Sequence, residues 1–137
     1  MFTYEELSRV ARKYYPREEG YCAVIAVSVA ARVPFGKARS LLHKKGRKQG
    51  KGTNQVWTYS VLRDLGYKHN PWVSMHHPWP KTLATATRVL PKTGTFLLHT
   101  RGHISCVRDG VLEDWAADCK SRKRILMIQQ VTETTKE

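Results

Sequence analysis

Two short stretches of this sequence carry residue types that can do chemistry together. The first is Cys22, which follows Glu18-Glu-Gly-Tyr and opens the apolar run Cys22–Ala31, interrupted only by Ser28. A helix from about Tyr21 to Arg32 with no polar face has to be packed on nearly every side. The sequence therefore places Cys22 in the first turn of a buried helix. A helix N-terminus carries partial positive charge and unpaired N–H groups, which stabilise a thiolate. The same N–H groups can stabilise an oxyanion formed at an attacked carbonyl. Against this stands the commoner role of a cysteine as a small apolar core residue.

The second stretch runs from His103 to Asp114. Asp109-Gly110 is the strongest short-range hairpin signal in the chain. A two-residue turn there pairs Arg108 with Val111, and every further pair keeps the same sum of residue numbers. Ser105 then faces Asp114. Paired residues, and residues two apart on one strand, share a sheet face, so His103, Ser105 and Asp114 fall on one side, with His103 and Asp114 diagonal neighbours. A carboxylate beside a histidine fixes the orientation of the ring and stabilises its protonated form. The spacing alone is equally compatible with a half-buried polar pair.

These groups need elements to hold them. Thr3 and Glu6 make a capping box for a helix over residues 3–15, with Leu7, Val10, Ala11 and Tyr14 inward. Pro16 ends it, and Pro34 ends the apolar helix. A short helix from Gly36 to about Lys45 follows, with Ala38, Leu41 and Leu42 inward. Thr53 or Asn54 caps another through about Leu65, whose core side is Val56, Val61, Leu62 and Leu65. Residues 67–80 read as strand plus loop, and a helix from Lys81 to Val89 stops at Pro91. After Gly94 the period becomes that of strands: Thr95–His99, His103–Arg108, Val111–Trp115 and Ile125–Ile128. Helices followed by antiparallel strands predict one α+β domain over residues 1–137, its core at about 16–128, a buried N-terminal helix packed on a C-terminal sheet.

The 137 residues include 24 Lys and Arg against 11 Asp and Glu, a formal net charge of +13. Such a field draws acidic proteins, nucleic acid or anionic lipid. Between Gly20 and Arg108 the only acidic residue is Asp64. The glycine-rich loop with Lys44, Lys45, Arg47, Lys48 and Lys51 is the expected contact for nucleic acid or an acidic partner, with no side chain in it expected to be buried. Trp57, Tyr59, Trp72 and Trp79 are aromatics that could stack on bases, although no known nucleic-acid reader motif is present. No apolar stretch approaches the roughly 20 residues of a membrane span, and the first residues lack the pattern of a secretory signal. Three cysteines with no such signal read as reduced thiols in a cytoplasm. Neither a metal nor a cofactor is expected. Cys106 lies an odd number of residues from His103 and faces away from it, and no Cys-x-x-Cys pair exists.

Gly20-Tyr-Cys-Ala-Val at the head of an apolar helix resembles the nucleophile helix of papain-like cysteine peptidases. Gly102-His-Ile-Ser-Cys-Val, then Asp109-Gly and Glu113-Asp-Trp, resembles their histidine strand and the strand after it, in the same order of Cys, His and Asp. The chain looks most like minimal papain-like proteins encoded by bacteriophages, and more distantly like bacteriocin-leader peptidases. The resemblance implies a papain-like fold and a hydrolase of peptide or isopeptide bonds, with Cys22 as nucleophile, His103 as base and then acid, and Asp114 orienting His103. It also implies an accessory protein at work in a bacterial host cytoplasm. One part departs from the pattern. The family's oxyanion-hole Gln is missing, since no Gln precedes Cys22 and Pro16 stands in its usual place. The alternative implied is a papain-like scaffold without catalysis, which binds a host protein or nucleic acid through its basic surface.

Overall fold

The apolar run after Tyr21 forms α2 (Cys22–Ala31), and every residue from Ala23 to Ala31 is buried. The computed structural model describes residues 2–17, 21–48, 53–72, 80–113 and 124–134. Within them α2 is wrapped by three helices: α1 (Tyr4–Tyr14), α3 (Phe35–Lys45) and α4 (Gln55–Asp64). Its fourth side rests on the sheet. This burial explains why a helix without a polar stripe is tolerated: beyond its first residue, Cys22, no side of it meets water.

The ends of the helices follow their local chemistry. Thr3 caps α1 by accepting the Glu6 N–H at 3.2 Å. Asn54, rather than Thr53, caps α4, its Oδ1 accepting the Val56 N–H at 2.8 Å. The apolar helix ends at Arg32, which turns into the left-handed region (φ 56°) before Pro34. Pro34 then serves as the N-cap of α3.

Two inward assignments are corrected. Tyr14 is exposed, because the next residue, Tyr15, takes the inward place and packs on Phe35 with ring centres 5.4 Å apart. Val56 is 66% exposed. At about 100° per residue the face through Thr58, Val61, Leu62 and Leu65 forms one arc, and Val56 falls on the far side of it.

The sheet contains β1 (Tyr67–Pro71), β2 (Thr95–Thr100), β3 (His103–Arg108), β4 (Val111–Glu113) and β5 (Met127–Glu133), in the order β1-β5-β2-β3-β4, every neighbouring pair antiparallel. The chain is thus α+β. The last strand begins two residues later than Ile125 and runs well past Ile128. Its register comes from Gln129 and Val131 pairing with β1 and β2, not from the apolar Ile125-Leu-Met-Ile run. Leu126 is exposed, and Ile125 donates its N–H to Lys81 O beside α5 (Leu83–Val89).

Side chains alternate across this sheet. Leu97, Ile104, Cys106 and Val131 join the α1–α4 core, while Phe96, Leu98, Val107, Leu112 and Ile128 join a second core under α5. No described helix is long and apolar enough to cross a membrane.

Candidate active site

Cys22 is the first residue of α2, its N-cap Tyr21 gives no side-chain cap hydrogen bond, and it is half-buried. Cys106, in β3, is fully buried in the core. Of the two described thiols, Cys22 is therefore the one solvent and reagents reach. Cys119 lies outside the described residues. No acidic side chain sits in the first turn of α2, so the helix dipole acts on the thiol without a nearby carboxylate from its own helix to oppose it.

The histidine arrives from the sheet. The turn Arg101-Gly102, with Gly102 at φ 70°, joins β2 to β3 and sets Thr100 opposite His103. His103 shares its strand parity with Ser105 and Val107, which point toward α5. It is however the first residue of β3, at the rung where the sheet ends. A cavity of about 510 Å³ wraps that end, and Cys22, Ala23, Thr100, Gly102 and His103 all line it. The start of α2 and the start of β3, far apart in the chain, thus meet across one opening. A thiol at a helix N-terminus that shares a cavity with an imidazole is a pairing of groups that can form a thiolate and carry a proton.

The second hairpin keeps the expected register. Asp109 (φ 49°) and Gly110 (φ 83°) form the turn, both in the left-handed region that a two-residue hairpin of this hand demands. Arg108 pairs with Val111, Val107 with Leu112, and Cys106 with Glu113. Glu113 is tied to the start of α1, accepting the Tyr4 N–H at 3.4 Å, and burial raises its pKa against the pull of that bond and of Arg108. Asp114, the expected orienting group, lies outside the described residues.

A buried polar row adjoins the cavity. His99, on the α2 side of β2, lines the cavity and hydrogen-bonds the Tyr59 hydroxyl from α4. Burial lowers the His99 pKa to about 4, and burial raises that of Tyr59 above its usual value, with Cys106 adding to the rise. Both groups are thus neutral at pH 7. The Tyr59 ring lies against His69 with centres 4.2 Å apart, and His69 Nδ1 donates to Gln129 Oε1 at 3.3 Å.

The basic loop is not the uniform surface its composition suggests. Lys44 and Lys48 are exposed. Lys45 pairs with Asp64 at 2.8 Å. Arg47, expected to be solvated, is only 2% exposed, with Nη1 donating to His43 Nε2 at 2.9 Å. Beside it Gly46 (φ 129°) lies under Trp57, where a Cβ would stand 2.9 Å from Cζ2, so the indole rests on the bare backbone, and the Arg47 N–H turns back to Leu42 O at 3.1 Å. Lys51 lies outside the described residues.

The proposed stacking aromatics are also committed elsewhere. Trp57 covers Gly46, Tyr59 is buried, and Trp72 packs edge-on to Phe96 with centres 6.0 Å apart. Trp79 is outside the described residues.

Comparison with protein-family models, with curated proteins and with solved structures finds no match. The site must be judged on its own residues. Sequence reasoning missed part of its wall: Thr53, Gln55, Trp57 and Thr100 line the cavity with Cys22. Thr100 was within reach of the same pairing arithmetic that found Asp114, applied to the Arg101-Gly102 turn. The α4 residues were not, because only the packing of α4 beside α2 brings its start to the thiol.

Proposed function

We propose that this chain is a cysteine hydrolase of papain-like architecture that cleaves a peptide or isopeptide bond in an acidic protein or peptide. The observation that carries the reading is the meeting of Cys22 and His103 on one cavity wall, each at the start of its element. His103 takes the thiol proton, and the Cys22 sulfur attacks the carbonyl carbon. The tetrahedral intermediate collapses as His103 returns the proton to the leaving amine, which departs and leaves a thioester. Water, deprotonated by His103, then releases the acid and restores the thiol. In this reading the first N–H groups of α2, which starts at Cys22, receive the oxyanion and take the part that a preceding Gln plays in the family. Asp114, on the sequence register, orients His103.

The net charge of +13 supports an acidic substrate or host partner through faster encounter. The competing reading, a non-catalytic scaffold that holds nucleic acid through the basic loop, rests on the exposed Lys44 and Lys48. Among the described aromatics Tyr59 is buried and Trp72 packs on Phe96, which weakens that reading against the stacking that single-stranded binding uses.

The test is digestion of an unbiased peptide mixture, read by mass spectrometry. Cys22→Ala and His103→Ala should each lower cleavage by about 10³-fold or more. Iodoacetamide should label Cys22 ahead of Cys106 at mildly acidic pH, and His103→Ala should move that labelling to higher pH. Cleavage that survives Cys22→Ala would sink the proposal.

A further inference from the structure

Part of the cavity wall is a buried side chain that the hydrolytic steps leave idle. His99 has the strand parity of Leu97, so its ring lies on the α2 side of β2. It is 8% exposed and lines the cavity together with Cys22 and Ala23. Its Nε2 is taken by the Tyr59 hydroxyl. Nδ1 has no hydrogen-bond partner among the described residues. Unlike Thr53 Oγ1 and Thr100 Oγ1, which are sealed without a partner, Nδ1 keeps contact with solvent, and the cavity is the opening that His99 lines.

Tyr59 fixes the state of that nitrogen. Its hydroxyl is buried and has no second partner among the described residues. Were Nε2–H the donor, the hydroxyl hydrogen would be left buried without an acceptor, a cost that the other tautomer avoids. Tyr59 therefore donates to Nε2, and the proton of the neutral ring sits on Nδ1. Burial keeps both groups uncharged at pH 7, lowering the His99 pKa to about 4 and raising that of Tyr59. The Tyr59 ring is itself held against His69. The outcome is an uncharged N–H of fixed direction, polarised by the bond behind it.

The chemistry of the wall selects what such a donor meets. No Lys or Arg is among the described lining residues, so a resident anion would lack a cation to pair with. A carbonyl oxygen arrives neutral and gains charge only as the thiol attacks. An uncharged imidazole N–H polarises such a carbonyl and holds its oxygen as the charge develops. A cavity of about 510 Å³ takes one small ligand or a short stretch of peptide, so one bound residue meets both Cys22 and His99.

We infer that His99 Nδ1–H is a catalytic donor to the oxyanion formed at the carbonyl that Cys22 attacks, with Tyr59 the positioning residue that sets its tautomer. The inference deepens the hydrolase reading and rests on it for the carbonyl substrate. The proton stays on Nδ1 throughout, and the electron pair of the oxyanion returns to the carbonyl as the leaving group departs.

The test sets two reagents against one thiol. p-Nitrophenyl acetate acylates Cys22 through a tetrahedral oxyanion, whereas iodoacetamide alkylates it at a saturated carbon and forms none. The ratio of the two rates, divided by that of N-acetylcysteine, reads donors at the carbonyl oxygen independently of thiolate content. Mass spectrometry assigns both adducts to Cys22. The parent ratio should be raised by about 10²-fold. His99→Leu should remove most of that gain, and His99→Gln, which keeps an N–H, should retain part of it. Tyr59→Phe should lower it by a smaller factor. Nitrogen NMR of the parent at pH 7 should place the His99 proton on Nδ1, a result that stands even where His99→Leu fails to fold.

A parent ratio no higher than that of N-acetylcysteine, a folded His99→Leu with both rates lowered together, or a proton on Nε2 would overturn the donor. Peptide cleavage indifferent to His99→Leu would also overturn it, while leaving the hydrolase reading intact. A ratio that follows His99 without any peptide cleavage would uphold the donor and remove the peptide substrate.

Discussion

The two faces of the sheet are built on different principles. Under α5 the core is mainly hydrocarbon, Leu83, Ala86, Leu90, Phe96, Leu98, Val107, Leu112, Ile125 and Ile128, with Ser105 a buried hydroxyl on the same side. On the α2 side the same kind of packing surrounds α2, but His99, Tyr59, His69 and Gln129 run through its edge and end at the cavity. An apolar core asks of a side chain only that it fill space, and nothing in it depends on pH. A buried polar group also asks for a partner in the right direction, and leaves a cost where the partner is missing. One face holds the sheet, and the other pays stability to keep directed groups beside a reactive thiol.

The largest effect expected from this contrast is on the plain face. Phe96 is 1% exposed and fully within the α5-side core, so Phe96→Ala should cost about 3–5 kcal/mol in denaturant unfolding. The rate at which iodoacetamide labels Cys22 in the folded protein should not change. A large change in that rate would mean that the two faces are coupled through the strands and that the division is wrong.

Next in size is the acid response, which belongs to the polar face. The His99 pKa falls from 6.5 to about 4 on burial. Between those values the unfolded chain binds the proton and the folded chain does not. The contribution of His99 is therefore complete above pH 6.5 and is lost as pH falls toward 4, by up to about 3 kcal/mol. Glu113, with its raised pKa, works in the opposite sense, since acid favours its folded form. Urea midpoints measured from pH 7 to pH 4 should fall, and His99→Asn should flatten the fall. An equal fall in His99→Asn would assign the acid response to other groups.

A third and smaller effect separates two neighbours in the basic loop. Arg47→Ala removes a buried guanidinium that donates to His43 and should destabilise by about 2 kcal/mol. Lys48→Ala, at an exposed position, should stay within about 0.5 kcal/mol. Thermal unfolding of both variants decides it. Binding studies of this loop should accordingly change Lys44 and Lys48 and leave Arg47 in place, since loss of binding in an Arg47 variant would also report a damaged fold.

What the sequence made legible was what local chemistry dictates. The valines of the run Cys22–Ala31 also suit a buried strand, but its alanines and length favour a central helix, and Asp109-Gly110 signals the turn that fixes the register of β3 and β4. These two signals were enough to bring Cys22 and His103 into consideration together. The misreadings lie where tertiary contacts overrule the local pattern. Gln129-Gln-Val-Thr-Glu looks too polar for an inner strand, yet β5 lies between β1 and β2 because Gln129 finds His69 across the sheet. Arg47 sits among lysines and glycines, and its burial rests on the fold, which turns its N–H back to Leu42 O and sets its guanidinium against His43. The cavity wall was half visible for the same reason: β2 and β3 are neighbours in the chain, whereas the start of α4 reaches Cys22 only through packing.

The smallest effect is the one that tests the cost assigned to the polar face. Thr100 Oγ1 is buried without a partner among the described residues, so the unliganded protein carries a desolvation cost of about 1–3 kcal/mol for it. Valine has nearly the same shape, keeps the branching that suits a strand, and has no hydroxyl to desolvate. Thr100→Val should therefore raise the unliganded stability by about 1 kcal/mol, visible as an increase of a few degrees in Tm. If Thr100→Val lowers Tm instead, the hydroxyl is satisfied within the folded chain in solution.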